Sequence, residues 1–503
     1  MSLQNLTEKF KAFCNSPQKI FLFALFIAAC AVVCYTCFFS DIHRDTAYVY
    51  AYYTREIGNG NFYNAIVERV PMLNITLGGI LAWCGMDTVT ALTLIAGIFY
   101  LATCFPLRRL LERYLSPLAA AYGCLLYVSA PKLISFGCAP LLESVRIFFL
   151  ISAVYLFFKT VENPGVKNAI LFGVSAGFLS VSRGEGIIAS AALLAGLPVF
   201  VLLFKKTQSW KKHLAATAIA LICAFAAASP FWMMNYIKSG YFVPDMRLVQ
   251  YGSAIKNALF NSGETAASPA FMSPEEGNGS WKEKAVSVVS GMIRGGFEIY
   301  WLFALTGIVI CFCKKRFSPD HLVLVGVTFL QCASYFLVVS SYRYYLFIIP
   351  LFMMFTITGA VFFLRLILKY LPEKWHILVL AAGIIFLSCQ AAYGIKSAFS
   401  RRGKRYKDVG LWIKDYAKIH TPDRKLQIFA PSVAEVAYWS EAGHTDEYGQ
   451  PLHDPETFRE FDLAVVHASF PRGLEKRADL ERIPNTPHQD KIWIFRVKPL
   501  VNK

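Results

Sequence analysis

The 503-residue chain is 56% hydrophobic and 17% charged, and its mean hydropathy of +0.45 excludes an ordinary soluble protein in favour of a polytopic membrane protein. A formal net charge of +17 does not imply a nucleic-acid partner, because the basic residues punctuate apolar runs instead of collecting on one exposed face. Of the thirteen cysteines, most (Cys30, Cys34, Cys37, Cys104, Cys124, Cys223, Cys311, Cys332 and Cys389) lie inside those runs, where cysteine acts as a small hydrophobe, and none shows metal-binding spacing.

The first apolar run, Ile20 to Phe39, follows Lys9, Lys11 and Lys19 and has the length of a bilayer core. It reads as an uncleaved signal anchor. A lipoprotein signal is the alternative, since Ile27 to Cys30 reads IAAC, but the run stays apolar through AVVCYTCFF where a processed chain would turn polar. A hydropathy window of about 19 residues predicts about eleven spans in all. The others are Thr88 to Phe105, Pro117 to Ser135, Leu141 to Lys159, Lys167 to Ser182, Gly186 to Phe204, His213 to Trp232, Gly291 to Cys313, His321 to Ser340, Tyr344 to Leu366 and His376 to Tyr393.

With the N-terminus cytoplasmic, every inner loop is short and basic: Arg108, Arg109 and Arg113; Lys159 and Lys167; Lys205, Lys206, Lys211 and Lys212; Lys314, Lys315 and Arg316; Lys369 and Lys374. The odd span count then predicts an outer C-terminus, with the long loops Asp41 to Asp87 and Asn235 to Ser290 outside. Counting the apolar stretch Pro71 to Cys84 as a span would invert every later loop, so it is expected as a helix at the outer interface. Past Ser400, KLQIFA, DLAVVHA and KIWIFRV read as short buried strands among helical segments. Residues 1 to 400 are therefore expected as a membrane domain and 401 to 503 as a small extracytoplasmic α/β domain.

Ionisable groups near membrane depth are costly and mark candidate functional sites. On this topology Asp41, Asp45, Glu143, Arg183, Glu185 and Arg343 all fall at outer span ends. Asp41 and Asp45 share a face if the first helix continues, and such a like-charge pair raises one pKa unless a cation intervenes; the alternative is two hydrated acids partnered by His43 and Arg44. Arg183 and Glu185 form either a mutual ion pair or a ligand site, the arginine fork suiting phosphate. Arg343 is either a ligand or an anchor in the aromatic belt of Tyr342, Tyr344 and Tyr345. Arg69 has snorkelling as its alternative. His444, His453 and His467 lack metal spacing, and the acceptor tripeptides at Asn74 and Asn278 are of a kind common by chance.

The arrangement resembles the GT-C membrane glycosyltransferases, in the branch of the dolichyl-phosphate-mannose protein mannosyltransferases and lipid A aminoarabinose transferases. RDTAYVYAYYTREIGNGNFYNAIVERVPML is similar to that branch's first external motif through Asp45, Tyr48, Ile57, Gly60, Tyr63 and Pro71. LNITLGGILAWCGM looks like its interfacial helix, PLRRLLERYLSPLAAA its basic turn, GVSAGFLSVSRGEG its glycine-rich fifth span, and SYRYYLFIIPLF its later Arg-Tyr segment. Glu143 matches the acid of its second external loop. The family often has Asp-Glu at the first motif, whereas Thr46 follows Asp45 here, which leaves open whether Asp45 acts alone or with Asp41.

The resemblance implies transfer of a sugar from a polyprenyl-phosphate donor to an acceptor hydroxyl of a lipid, glycan or protein, in a plasma or inner membrane. It implies Asp45 as general base, with inversion, and Asp41 and Glu143 as groups that position the acceptor or bind a divalent cation. Arg183, Arg343, Arg69 and Arg44 would hold the donor phosphate, and His43, Tyr48, Glu185 and Tyr344 would contact substrate. No organic cofactor is implied. The rival reading is a transporter or flippase for a lipid-linked glycan, whose acids would bind coupling ions; paired repeats and midplane acids are not apparent. A non-catalytic receptor for a lipid-linked glycan is a third.

Overall fold

The computed structural model describes residues 3–38, 42–43, 45–66, 71–205, 210–243, 281–295, 298–335, 342–399, 401–430, 433–441, 443–444, 461–467, 477 and 480–498. A short N-terminal helix α1 (Leu3–Cys14) leads into α2 (Pro17–Phe38), the first span. A π-helical turn (Thr46–Tyr50) opens α3 (Ala51–Gly58), and α4 (Met72–Trp83) is the helix expected between Pro71 and Cys84. There follow α5 (Thr88–Ala102), α6 (Cys104–Leu111), α7 (Pro117–Ser129), α8 (Pro131–Gly137), α9 (Glu143–Glu162), α10 (Val166–Ser182), α11 (Gly186–Phe200) and α12 (Trp210–Ser239). The rest of the bundle is α13 (Trp281–Gly295), α14 (Glu298–Cys313), α15 (Pro319–Ser334), a 3-10 turn (Tyr342–Tyr345), α16 (Ile348–Tyr370) and α17 (Glu373–Lys396).

Among the described residues seven helices are long and apolar enough to cross a membrane, or eight if α7 and α8 form one span. This is a multi-pass membrane protein. The expected third span is broken: α7 and α8 meet at 61°, because Pro131 has no N–H to continue the ladder of α7. The expected eighth span starts at Gly291 within α13 and runs on into α14, which begins at Glu298; residues 296–297 lie outside the described residues. Expected spans five, eight and nine correspond to α10, α14 and α15, of 17, 16 and 16 residues.

Helix α9 lies at the centre, 78% of its apolar window being buried against 39% for α2. Small residues set the closest crossings, as bilayer packing requires. A Cβ at Gly173 or Gly177 of α10 would collide with the backbone of α12 at Ala220 and Ala224, and one at Gly307 or Gly359 with the facing backbone of α16 or α14. At one end of α9, Arg113 pairs with Glu162 at 2.6 Å and with Asp320 at 2.8 Å, gathering the basic turn after α6. The other end opens on Glu143, about 30 Å away along a helix of 20 residues, the thickness of a bilayer core.

After the bundle, α18 (Arg401–His420) and α19 (Ala434–Ser440) pack on a five-stranded sheet of order β2-β1-β3-β5-β4. The three expected strands are β1 (Gln427–Phe429), β3 (Leu463–His467) and β5 (Ile492–Val497), joined by β2 (Gly443–His444) and β4 (Leu480–Arg482). β1 runs parallel to β2 and β3, whereas β5 is antiparallel to β3 and β4. Alternating side chains build two cores: Ile428, Val465, Ile492 and Ile494 face Val409, Ile413 and Val436 of the helices, while Phe429, Ala464, Val466 and Phe495 pack on the other face. This α/β unit touches the bundle through α19, whose Tyr438 joins Ile42, Ala47, Ala51, Val89 and Leu92 in one apolar cluster. The Arg55 guanidinium of α3 lies 4.5 Å from the centre of the Tyr438 ring.

Candidate active site

Four chain breaks at one end of the bundle carry the candidate residues. Beyond α2, Ile42 and His43 are not helical, so the first span does not run on to Asp45. Asp45 instead begins the turn that leads to α3, its N–H donating to Nδ1 of His43 at 3.2 Å. The Thr46 hydroxyl donates to the Pro140 carbonyl at 2.8 Å, tying this turn to the loop before α9. Asn74 of α4 secures the same loop by donating to the Leu141 carbonyl at 3.2 Å, and Ser144 donates to the Gly137 carbonyl at 2.5 Å. Glu143 thus sits at the N-terminus of α9, where the helix dipole favours a carboxylate.

Arg183 ends α10 in extended backbone (φ −166°, ψ 151°). The SRGEG turn closes with the Gly186 N–H on the Arg183 carbonyl at 2.9 Å. Only glycine fits at 186, since a Cβ there would overlap the Leu179 carbonyl. Arg343 comes from the 3-10 turn before α16.

These breaks converge. Arg343 pairs with Asp45 through Nη2 and lies 3.7 Å from Oε1 of Glu143 through Nε. Its Nη1 donates to Nδ1 of His43 at 3.3 Å. Arg183 reaches the same Glu143 oxygen at 3.3 Å through Nη1 and Glu185 at 3.0 Å through Nε. The Tyr344 ring lies between the two guanidinium groups, 3.8 Å from Arg183 and 5.1 Å from Arg343, and its hydroxyl accepts from Arg343 at 3.4 Å.

Exposure divides the cluster. The side chains of Glu143, Arg343 and Arg183 are only 5%, 5% and 6% accessible, while His43 and Asp45 keep 39% and 37%. Among the described residues of the cluster, Asp45 is therefore the carboxylate open to water, over a floor of buried charges. Burial alone would raise its carboxyl pKa, but the Arg343 charge, then His43, the Arg343 hydrogen bond and Arg183 hold it below the ordinary aspartate value. Burial opposes the charge on Arg343, and Glu143 and Asp45 more than restore it, so the guanidinium is held firmly protonated. Tyr50, in the same turn, is pushed up by burial and then by Asp45, and stays neutral.

No protein-family model and no curated protein matches the sequence. Solved structures do match. ArnT from Cupriavidus metallidurans bound to undecaprenyl phosphate superposes with a TM-score of 0.62, at 12% identity over 94% of this chain and 97% of that one. Its apo state gives 0.60 with the same identity and shares. The apo oligosaccharyltransferase of Archaeoglobus fulgidus gives 0.51, at 13% identity over 89% of this chain and 69% of that chain. The chain has the GT-C fold. At 12 to 13% identity the likeness is one of fold.

In this GT-C chain the cluster unites Asp45, Glu143, Arg183, Arg343, His43, Glu185 and Tyr344 of the expected residues. Asp41, Arg44, Arg69 and the Tyr48 side chain lie outside the described residues, as does Asn278. Arg183 and Glu185 do pair, but Arg183 also bridges to Glu143, and Arg343 is buried instead of anchoring a belt. Asn74 is 1% exposed, a packed strut and not an accessible acceptor. Phe242 of the second long loop packs on Phe225 and Trp232 of α12; residues 244–280 lie outside the described residues.

Sequence reasoning passed over Arg146, Gln331 and Tyr335. Arg146 donates to the Tyr335 hydroxyl at 2.6 Å, to Oε1 of Gln331 at 2.9 Å and to the Tyr344 carbonyl at 3.4 Å. Its signal was visible: a charge inside an apolar run, three residues after Glu143. Asp41, one of the acids expected to bind a divalent cation, lies outside the described residues. They contain no group of three or more His, Cys, Asp or Glu side chains able to hold one, and Asp45 and Glu143 both face the fixed cation Arg343.

Proposed function

We propose that the chain transfers a sugar from a polyprenyl-phosphate-linked donor to an acceptor hydroxyl at the extracytoplasmic face of the membrane. The observation that carries this reading is the convergence of Asp45, Glu143, Arg183 and Arg343 in one half-wet cluster at the end of a GT-C bundle. The ArnT structure that shares the fold is bound to undecaprenyl phosphate, which supports a donor of that class. The cluster lies at the end of α9 opposite the basic Arg113 network, which supports an extracytoplasmic site under the positive-inside rule. On this reading residues 1 to 400 form the catalytic membrane domain and 401 to 503 an extracytoplasmic α/β domain.

Asp45 acts as general base. It takes the acceptor proton as that oxygen attacks the anomeric carbon, while the bond from that carbon to the phosphate oxygen breaks with its electron pair leaving on phosphate. Attack opposite the leaving group inverts the centre. Arg343 and Arg183 are fixed cations in a poorly hydrated site and stabilise the departing phosphate, with Arg69 and Arg44 as further donors from neighbouring segments. Arg343 also tunes the base. A donor phosphate competing for its guanidinium weakens the hold on Asp45 and raises its basicity when substrate is present. Glu143, Glu185 and Asp41 orient the acceptor and the two arginines, and His43, Tyr48 and Tyr344 contact the sugar.

The test is transfer by purified chain in lipid nanodiscs supplied with a panel of polyprenyl-phosphate sugars. Wild type is expected to transfer, and Asp45→Asn to lose at least about 100-fold, the lower range for a general base. Undiminished transfer by D45N removes the base assignment. No transfer by wild type from any donor removes the enzyme reading in favour of a transporter or flippase.

A further inference from the structure

Arg146 is 2% exposed, one helical turn into α9 from Glu143. A guanidinium at this depth is costly unless compensated, and among the described residues no carboxylate pairs with it. Its fork is spent instead on the Tyr335 hydroxyl, the Gln331 side-chain oxygen and the Tyr344 carbonyl, with the Phe347 ring 4.7 Å away. The Tyr335 hydroxyl donates to the same Tyr344 carbonyl at 3.2 Å. Every one of these partners belongs to α15, its C-terminal end, or the stretch that carries Arg343.

A four-residue 3-10 turn has few internal bonds to hold its orientation, so the aim of Arg343 must be imposed from outside. We propose that Arg146 is a positioning residue: by clamping Tyr335, Gln331 and the Tyr344 carbonyl, it holds the Tyr342–Tyr345 turn in the register that directs Arg343 at Asp45 and Glu143. One rigid helix thereby sets both the acid Glu143 and the cation that faces it. The planar fork suits this task, since it binds two separate elements at fixed angles where an ammonium would not. The inference rests on the transferase reading for its consequence in turnover, but the clamp itself is independent of the reaction.

The readout is the ionisation of Asp45, which Arg343 and His43 face directly and Arg183, Glu143 and Tyr50 at longer range. Carbodiimide labelling of Asp45 across pH, quantified by mass spectrometry in nanodiscs, follows this without turnover. Releasing Arg343 weakens its hold on the carboxylate, so Arg146→Gln is expected to move the labelling midpoint to higher pH, in the direction of Arg343→Gln. Tyr335→Phe and Arg146→Lys should give smaller shifts the same way, and they carry the test if R146Q is not recovered folded. In the transfer assay, R146Q should lower kcat about tenfold or more and move the acid limb with the labelling midpoint. A merely structural arginine would reduce thermal stability and leave that midpoint in place. A midpoint unchanged from wild type in these variants overturns the positioning role whether or not the wild type transfers sugar. An inactive wild type with a shifted R146Q midpoint sinks the transferase reading and leaves the clamp standing.

Discussion

Asp45 and Arg343, 298 residues apart in the chain, meet as an ion pair at the mouth of the bundle. One member is 37% accessible and the other 5%, so the pair joins a carboxylate open to water to a cation held in the interior. The behaviour of the site follows from that asymmetry.

The first consequence concerns pH. With its folded pKa depressed, Asp45 contributes stability that is fully present above its unfolded value and lost as pH falls through the lower folded value. On the transferase reading, the Asp45 limb of a kcat/KM–pH profile is therefore expected below about 4, the ordinary aspartate value. Replacing Arg343 by Gln should move the limb upward. A kcat/KM profile whose Asp45-dependent limb lies at or above that value in wild type contradicts the pairing.

Arg183 compensates two buried acids, Glu143 at 3.3 Å and Glu185 at 3.0 Å. Arg183→Gln leaves both without it and should destabilise the bundle by about 3–5 kcal/mol. Arg183→Lys, which keeps the charge but not the two-armed geometry, should cost less. Thermal unfolding in detergent measures both, and equal stability of R183Q and wild type would refute the bridge.

Thr46 stands where the glycosyltransferases that the first motif resembles often have an acid, and its packing in this fold leaves a different role. Its side chain is fully buried and its hydroxyl supports the Pro140 carbonyl. Thr46→Val should cost about 0.5–1.5 kcal/mol for the lost hydrogen bond and weaken transfer by loosening the link between Asp45 and Glu143, while Thr46→Ser retains both. Thr46→Glu, which sets a second acid beside Asp45, is expected to lower the unfolding temperature because it puts a charge at a fully buried position. A T46E protein as stable as wild type would argue against this packing.

The α10–α12 crossing provides a paired control. A side chain at Gly177 meets the backbone of Ala224, whereas one at Gly196 in α11 meets nothing within 4 Å. Gly177→Leu should prevent recovery of monodisperse protein, and Gly196→Leu should not. Equal behaviour on size-exclusion chromatography would mean the two helices do not approach this closely.

Much of the fold was legible because bilayer burial leaves a local imprint. An apolar run of span length announces α2 or α9, and Lys and Arg clusters mark their far ends. The sheet strands β1, β3 and β5 show in the same way, as short apolar runs. β2 is two residues long and β4 reads LER, so neither carries an apolar run to see. The break at Pro131 had a local cause in proline, but the size of the bend depends on what α8 packs against, including Gly394 of α17 beside Ile134 and Pro131.

For the site, the sequence alone determined which charges are costly and that they cluster at span ends, since desolvation penalises an ionisable group wherever an apolar run surrounds it. It did not determine their pairing. That Arg183 bridges to Glu143 as well as Glu185, that Arg343 holds Asp45, and that Arg146 grips Tyr335 were decided by tertiary structure alone. Electrostatic and hydrogen-bond partners are chosen by distance in space, and helix packing brings together groups that the chain keeps hundreds of residues apart.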